Sequence, residues 1–268
     1  MNIKKIKLLI IWSLLLNSLP SWALVGGVRV MGNEFRSFVE MPLLACGGAR
    51  IGNHFILTAA HCVTHGADIA PYLVKDSALE LTDAQGNPAG RVKVVKINIS
   101  PDWNELISFT EKLNNDNSLT DDKKFDLYTN YSEKIHDLAV IEFSGNISAT
   151  VGQIDYGLKL KGKTVMAIGS GCETPGGASS GIASWAKLTA KTQNLGVNIT
   201  TAGAPSQICP GDSGSPLYFK SDFAGPEFIV GVVKAVDSDT KKGRSYFTRL
   251  DNSTAHGSIK EWINSLLK

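Results

Sequence analysis

The chain has 268 residues, and 27 basic against 25 acidic residues give a formal net charge of +2. Residues 1–23 hold three lysines and no acidic residue, so the remaining 245 residues carry a formal charge of −1. This balance provides no electrostatic basis for binding nucleic acid or a membrane surface. The length suits a single folded unit, although length alone also permits two small domains.

Residues 1–23 have the pattern of a secretory signal peptide. Three lysines precede the apolar run Leu8–Leu16, and Ser21-Trp22-Ala23 offers a small-x-small cleavage site. The apolar run is too short to span a bilayer. We therefore expect cleavage after Ala23 and export of residues 24–268; a short N-terminal anchor is the alternative.

Short runs rich in Val, Ile and Phe alternate with polar turns along the rest of the chain. This pattern is typical of antiparallel β-barrels or sandwiches, so the predicted class is all-β. The predicted strands are Phe38–Ala45, Phe55–Ala59, Arg91–Ile97, Leu138–Phe143, Thr164–Ile168, Phe228–Val236 and Tyr246–Leu250. Near the C-terminus, Ile259, Ile263 and Leu266 share one helical face with their neighbours, which predicts a helix packed on the core.

The segment between Ile97 and Glu133 is polar and rich in Asn and Asp. It has the character of an insertion of a few tens of residues ahead of Asp137. A solvated surface loop and a loop that restricts substrates are both compatible with this composition.

Three motifs carry the candidate chemistry. His61 follows Leu-Thr-Ala-Ala, Asp137 precedes the apolar run Leu-Ala-Val-Ile, and Ser213 lies in Gly-Asp-Ser-Gly. A serine hydroxyl becomes a good nucleophile when an imidazole takes its proton and a carboxylate orients that imidazole. The glycines beside Ser213 allow a tight turn in which the amides of Gly211 and Ser213 face one oxyanion. The other four histidines, His136 among them, lack such a context and are interpreted as surface or packing residues.

In these motifs and their order, the chain resembles the chymotrypsin/trypsin-like serine endopeptidases from Leu24 to the C-terminus. The resemblance implies two antiparallel six-stranded β-barrels and a C-terminal α-helix. His61 and Asp137 are then expected on the first barrel and Ser213 on the second, with the site in the cleft between them. The order His-Asp-Ser disfavours an esterase or lipase of the α/β-hydrolase type, in which the order is Ser-Asp-His.

Cleavage after Ala23 would expose Leu24-Val-Gly-Gly, which is similar to the N-terminus that the family exposes on activation. The resemblance implies that the new α-amino group of Leu24 enters the protein and pairs with Asp212. We therefore expect signal peptidase itself to make the activating cut; a chance adjacency of the two patterns is the alternative.

The chain contains four cysteines, and in an exported protein they favour two disulfides over a metal site. The resemblance implies a Cys46–Cys62 bond, which leaves Cys172 and Cys209 to pair with each other. Two free buried thiols are the alternative for that second pair. No metal and no cofactor is expected.

The residues expected to form the specificity pocket depart from the family pattern. By resemblance, Gln207 occupies the pocket floor, where trypsin-like members have aspartate, and Val236 and Ser245 occupy positions that are usually glycine. Lys234 and Ala235 replace the usual serine and tryptophan of the substrate-binding strand. Without a carboxylate at the floor, we expect a small or medium uncharged P1 residue. For Lys234, pairing with Asp137, an orientation into the cleft and a shifted alignment all stay open.

The predicted function is therefore that of a secreted or periplasmic serine endopeptidase acting through His61, Asp137 and Ser213 by way of an acyl-enzyme. The expected partners are protein or peptide substrates and a protein inhibitor, with the enzyme a monomer. The alternative is a catalytically weak homologue that binds a partner through the same cleft. The intact triad favours the first function, and the altered wall at Lys234, Ala235 and Val236 favours the second.

Overall fold

The computed structural model describes residues 24–64, 73–172, 181–195, 197–201, 206–221, 225–236, 244–251, 253–254 and 257–268. The expected signal peptide, 1–23, lies outside the described residues. The strands are β1 (Val28–Arg29), β2 (Phe38–Met41), β3 (Cys46–Gly52), β4 (Phe55–Thr58), β5 (Ala78–Thr82), β6 (Pro88–Ile99), β7 (Ala139–Ser144), β8 (Gln153–Ile154), β9 (Thr164–Gly169), β10 (Ser184–Leu195), β11 (Asn198–Thr201), β12 (Pro216–Lys220), β13 (Glu227–Val236), β14 (Ser245–Arg249), β15 (Ser253–Thr254) and β16 (Gly257–Ser258). The helices are α1 (Pro101–Asn115), α2 (Asp121–Ser132) and α3 (Ile259–Leu266), with 3₁₀ turns at Pro42–Leu44 and Ala60–Cys62.

Two closed antiparallel barrels of six strands each form the body of the protein. The first has the strand order β2-β3-β4-β7-β6-β5 and closes through the pairing of β2 with β5. The second runs β9-β10-β11-β14-β13-β12 and closes through the pairing of β12 with β9. The predicted all-β class and the two-barrel architecture are therefore confirmed.

The alternation of side chains along the strands fills these barrels. In β6, for example, Val92 and Val94 are buried, while Arg91 and Lys93 are exposed. Successive side chains of a strand point to opposite faces, so one face of each strand supplies the core. In the second barrel, Val165 and Phe247 belong to a separate buried apolar cluster.

The predicted C-terminal helix is α3. Its first turn is capped by the Ser258 hydroxyl, which accepts a hydrogen bond from the Glu261 amide at 3.5 Å. Ile259 and Ile263 are buried, so the apolar stripe packs on the core as predicted. Across the described ranges, no helix combines the length and apolar character needed to cross a membrane.

The polar segment ahead of Asp137 is a helical hairpin, which the composition did not indicate. Helices α1 and α2 connect β6 to β7, and we call residues 100–136 the helical excursion. Phe109 and Tyr131 stack across the hairpin with ring centroids 4.3 Å apart. The Trp103 indole donates to Thr64 Oγ1 at 3.3 Å, which attaches α1 to the segment that follows His61. The excursion is therefore packed on the barrel surface beside the candidate site.

Candidate active site

His61 and Asp137 form a hydrogen-bonded pair on the first barrel. His61 lies in the 3₁₀ turn that follows β4, and Asp137 lies just before β7, which pairs with β4. His61 Nδ1 is 2.6 Å from Asp137 Oδ2, and the His61 backbone amide donates to Asp137 Oδ1 at 3.0 Å. Both carboxylate oxygens are thus engaged by the same residue, which fixes the ring orientation.

The electrostatics of this pair favour an ionised aspartate beside a readily protonated imidazole. Burial opposes protonation of His61, but the charge of Asp137 and its hydrogen bond dominate and raise the pKa of His61 above 6.5. For Asp137, burial favours the neutral acid, yet the charges of His61 and Lys234 and the hydrogen bond from His61 hold its pKa below 3.8. The pair can therefore accept a proton at Nε2 of His61 and stabilise the imidazolium that results.

Ser213 lies on a turn that docks against the first barrel. Its carbonyl accepts a hydrogen bond from the Gly47 amide at 2.8 Å, and a side chain at Gly47 would collide with Ser215. On the other side, the Gly214 amide donates to the Val233 carbonyl at 3.0 Å. Gly214 also lies so close to Thr58 and Ala59 that a Cβ there would clash. The turn is thereby held next to the strand end that carries His61.

The oxyanion donors expected from the sequence are on this turn. Gly211 has a φ of +98°, and an added Cβ would lie 2.8 Å from Gly171 Cα, so the position requires glycine. Within the described ranges, neither the Gly211 amide nor the Ser213 amide donates a hydrogen bond. Within the same ranges, Ser213 Oγ and His61 Nε2 are not hydrogen bonded to each other. Catalytic hydrogen bonds are often long before substrate binds.

Asp212 is buried between the oxyanion turn and the end of β9. Its Oδ1 accepts from the Gly171 amide at 2.8 Å and its Oδ2 from the Cys209 amide at 2.7 Å. Burial raises the pKa of Asp212 to about 7, and the two amides counteract only part of that cost. Among the described residues, no cation supplies the charge compensation that a buried carboxylate needs.

Leu24 is the other residue of the expected activation pair. In this chain it is still joined to Ala23, so it has an amide rather than an α-amino group. The Leu24 side chain is fully buried in the core of the second barrel, and its φ is +60°. The next residue, Val25, bridges to Gln207, whose amide donates to the Val25 carbonyl at 3.2 Å.

Two disulfides flank the site. Cys46 is bonded to Cys62, with 6.1 Å between the Cα atoms, and Cys172 is bonded to Cys209, with 5.5 Å between them. Cys46–Cys62 is the pair that the family resemblance implied, and Cys172–Cys209 is the pair that was then left over. Cys46, Cys62 and His61 are also the three candidate metal ligands that cluster within the described ranges, but sulfurs held in a disulfide are not the thiolates that bind metals.

Three of the candidate specificity residues, Gln207, Val236 and Ser245, lie close to one another in the second barrel. Ser245 is buried, and its hydroxyl accepts from the Ile208 amide at 3.1 Å, next to Gln207. Ser245 pairs in register with Val236 on β13. Ala235 is exposed and Val236 is half-buried, so this strand offers no aromatic wall.

Lys234 makes its direct hydrogen bonds to the helical excursion, while its charge also acts on Asp137, as one of the arrangements left open by the sequence expected. Its Nζ donates to the carbonyls of Ser132 at 2.7 Å and Ile135 at 2.8 Å, both in the helical excursion. Burial lowers the pKa of Lys234 to about 8, against the opposing charges of Asp137, Glu133 and Asp102. The carbonyls at the C-terminal end of a helix attract cations, but a local sequence pattern does not show that this helix end meets Lys234.

Two further buried groups were not expected. His136, interpreted from the sequence as a surface or packing residue, is fully buried, with Nδ1 2.5 Å from Asp102 Oδ2. Glu40 on β2 is also buried, and burial raises its pKa to about 8, with Ser170 and Asp212 as its neighbours. A single polar residue, whether in a strand like Glu40 or just before one like His136, carries no sequence signal of such an environment.

The comparisons with known proteins agree with this geometry. The trypsin family model matches residues 24–263, so the chain belongs to the trypsin family, with a chymotrypsin-like fold. Among solved structures, a mutant of human heparin binding protein (CAP37) aligns with a TM-score of 0.63 and 18% identity, over 91% of this chain and 96% of that chain. Human heparin binding protein itself aligns over the same shares with a TM-score of 0.61 and 18% identity. No curated protein matches in sequence. At such identities, the solved structures establish the fold alone.

Proposed function

We propose that the protein is an active serine endopeptidase. The observation that carries the proposal is the double attachment of Asp137 to His61, at 2.6 Å and 3.0 Å, beside the docked turn of Ser213. Ser213 Oγ attacks the carbonyl carbon of a peptide bond while His61 Nε2 accepts its proton. The Gly211 and Ser213 amides stabilise the oxyanion, His61 protonates the leaving amine, and water then hydrolyses the acyl-enzyme.

The environment of Asp212 supports activation by signal-peptide removal. Burial raises the pKa of the Asp212 carboxyl to about 7, so a nearby cation would stabilise its ionised form. The new α-amino group of Leu24 would supply that cation. Cleavage after Ala23 also removes the backbone constraint at Leu24, where a left-handed conformation costs about 1–2 kcal/mol. The family match that starts at Leu24 agrees with this boundary. We therefore assign 1–23 as a signal peptide and 24–268 as the exported protease domain, secreted or periplasmic.

The pocket residues favour a small or medium uncharged P1 side chain. Gln207 supplies no counter-charge for a lysine or arginine side chain. The Ser245 side chain, which accepts a hydrogen bond from the Ile208 amide, occupies part of the space that a glycine would leave open. Val236 narrows the same region from β13. Cleavage of a P1-varied peptide library tests this assignment, and a preference for Arg or Lys would refute it.

The alternative function is binding through the cleft without turnover, for which the replaced substrate wall at Lys234, Ala235 and Val236 is the specific observation. Two of the aligned structures are named for heparin binding. Residues 24–268 carry a formal charge of −1, so the net charge does not favour a polyanionic ligand for this chain. A non-catalytic role would therefore involve a protein or peptide partner.

Fluorophosphonate labelling of the mature chain separates the two functions. We expect one adduct per molecule, mapped to Ser213, in the wild type and in Ser265→Ala, which changes a serine of α3. Ser213→Ala should not react. A folded wild-type chain beginning at Leu24 that stays unlabelled would refute the protease proposal and support the binding function.

A further inference from the structure

A second layer of polar contacts lies behind the catalytic pair and orders the chain just before Asp137. His136 is fully buried, and its Nδ1 is 2.5 Å from Asp102 on the first turn of α1. The His136 carbonyl accepts from the Ser100 hydroxyl at 2.5 Å. The residue adjacent to the catalytic aspartate is thus fixed to the start of the helical excursion.

The second barrel holds the other end of the helical excursion. Lys234 Nζ on β13 donates to the carbonyls of Ser132 and Ile135 at 2.7 and 2.8 Å. Asn198 Nδ2 on β11 donates to the Glu133 carbonyl at 2.7 Å. These carbonyls belong to the last residue of α2 and to the turn after it, where the helix dipole is negative. The Lys234 ammonium group is therefore held both by its two hydrogen bonds and by the favourable interaction with the helix dipole.

Lys234 also faces the carboxylate on which the catalytic histidine depends. The charged and titratable groups around it are Asp137, Glu133 on the turn after α2, and Asp102 on α1, with His61 beyond Asp137. Its positive charge favours the ionised form of Asp137 and disfavours protonation of His61. Hydrogen bonding to the helical excursion and electrostatic control of the pair thus meet in one side chain.

We propose that Lys234 is a positioning residue that couples the helical excursion to the catalytic pair. Its two hydrogen bonds hold the segment leading into Asp137, and its charge limits the basicity of His61. The assignment rests on the proposed protease function, because it concerns the same histidine and aspartate. The excursion thereby contributes to the order of the site in addition to any contact it makes with substrate.

The test removes the charge and keeps hydrogen-bonding capacity. In Lys234→Gln, the pKa of the His61 ring, followed by NMR of the labelled imidazole, should rise by about one pH unit, because a nearby cation has been removed. Fluorophosphonate labelling at pH 6 should slow by about tenfold, since one pH unit changes the neutral fraction tenfold. Lys234→Arg, which keeps the charge, should restore both values. Lys187→Met on β10, which removes an exposed lysine of the same barrel, is the matched control and should change neither.

A lower melting temperature with an unchanged pKa of His61 in Lys234→Gln would overturn the proposal in favour of a merely structural lysine. If that variant does not fold, Lys234→Ser, which carries the residue usual in the family, takes its place with the same expectation. The NMR measurement needs no turnover. An unlabelled wild type whose His61 pKa still responds to Lys234→Gln would therefore refute the protease proposal and leave the coupling intact.

Discussion

The most direct test of the proposed maturation is to displace the α-amino group from Leu24 and to measure the free energy of unfolding as a function of pH. A chain that retains Ala23 moves the N-terminal charge by about 3.5 Å, away from the buried Asp212 carboxyl. Without a cation, the pKa of Asp212 is about 7 in the folded protein, against 3.8 for the free side chain. That difference amounts to about 4 kcal/mol at pH 7 or above.

The proton bound by Asp212 determines how the unfolding free energy of each chain changes with pH. In the chain that retains Ala23, the folded state binds more protons than the unfolded state between pH 4 and 7, so its stability falls as pH rises through that range. In the chain beginning at Leu24, the ammonium keeps Asp212 ionised and this loss does not occur. The two chains should therefore unfold alike near pH 4 and differ by about 4 kcal/mol at pH 7, or on the order of 10 °C in Tm.

Urea unfolding of both chains from pH 4 to 8 gives the measurement, and Asp212→Asn supplies the control. In the Asp212→Asn background, the difference between the two chains should disappear, because no carboxylate remains to receive the ammonium. Equal stabilities at pH 7 in the Asp212 background would refute both the buried ammonium and the activation scheme that depends on it.

Three further outcomes are expected. Gln207→Asp should raise kcat/KM for peptides with P1 lysine or arginine by at least about tenfold, since a floor carboxylate supplies the missing counter-charge; an unchanged P1 profile would place the pocket floor elsewhere. Replacing Cys172 and Cys209 together by alanine should cost about 4 kcal/mol of unfolding free energy, as expected for a closed loop of 37 residues, and a loss below about 1 kcal/mol in urea unfolding would contradict this. The raised pKa of His61 means that kcat/KM, measured against pH, should rise to its plateau with a midpoint above pH 6.5, and a midpoint below 6 would contradict the described ion pair.

The sequence predicted the barrels well because their strands are apolar on at least one face. Each of the seven predicted strands overlaps a strand of the structure, but the predicted Phe38–Ala45 ends at Met41, because Pro42 begins a 3₁₀ turn. The C-terminal helix is capped at Ser258. The strands that were missed include β5, in which the exposed Glu80 separates the buried Leu79 and Leu81, and β12, which begins at Pro216 and ends at Lys220. Their formation depends on neighbours far away in the chain, which a local pattern does not report.

The helical excursion was missed for a different reason. Its polar composition indicated a loop, but the helix-start signals were present: Pro101 at the first position of α1, and Thr120 before two acidic residues at the start of α2. What no sequence pattern reveals is the tertiary setting of its ends. The hydrogen bond between His136 and Asp102 and the bonds of Lys234 depend on elements that are distant in sequence. The roles of His61, Asp137 and Ser213 stay predictions until the labelling is done.

The hydrogen bond from Gly47 to the Ser213 carbonyl has a consequence for how the two halves of this molecule depend on each other. Ser213 is encoded with the second barrel, but its turn is hydrogen bonded to β3 of the first. A second barrel expressed alone would retain the Gly-Asp-Ser-Gly segment and lose the strand against which it is set. Exchanging whole barrels between relatives would therefore transfer specificity only where Gly47 of β3 and the turn of Ser213 are transferred together.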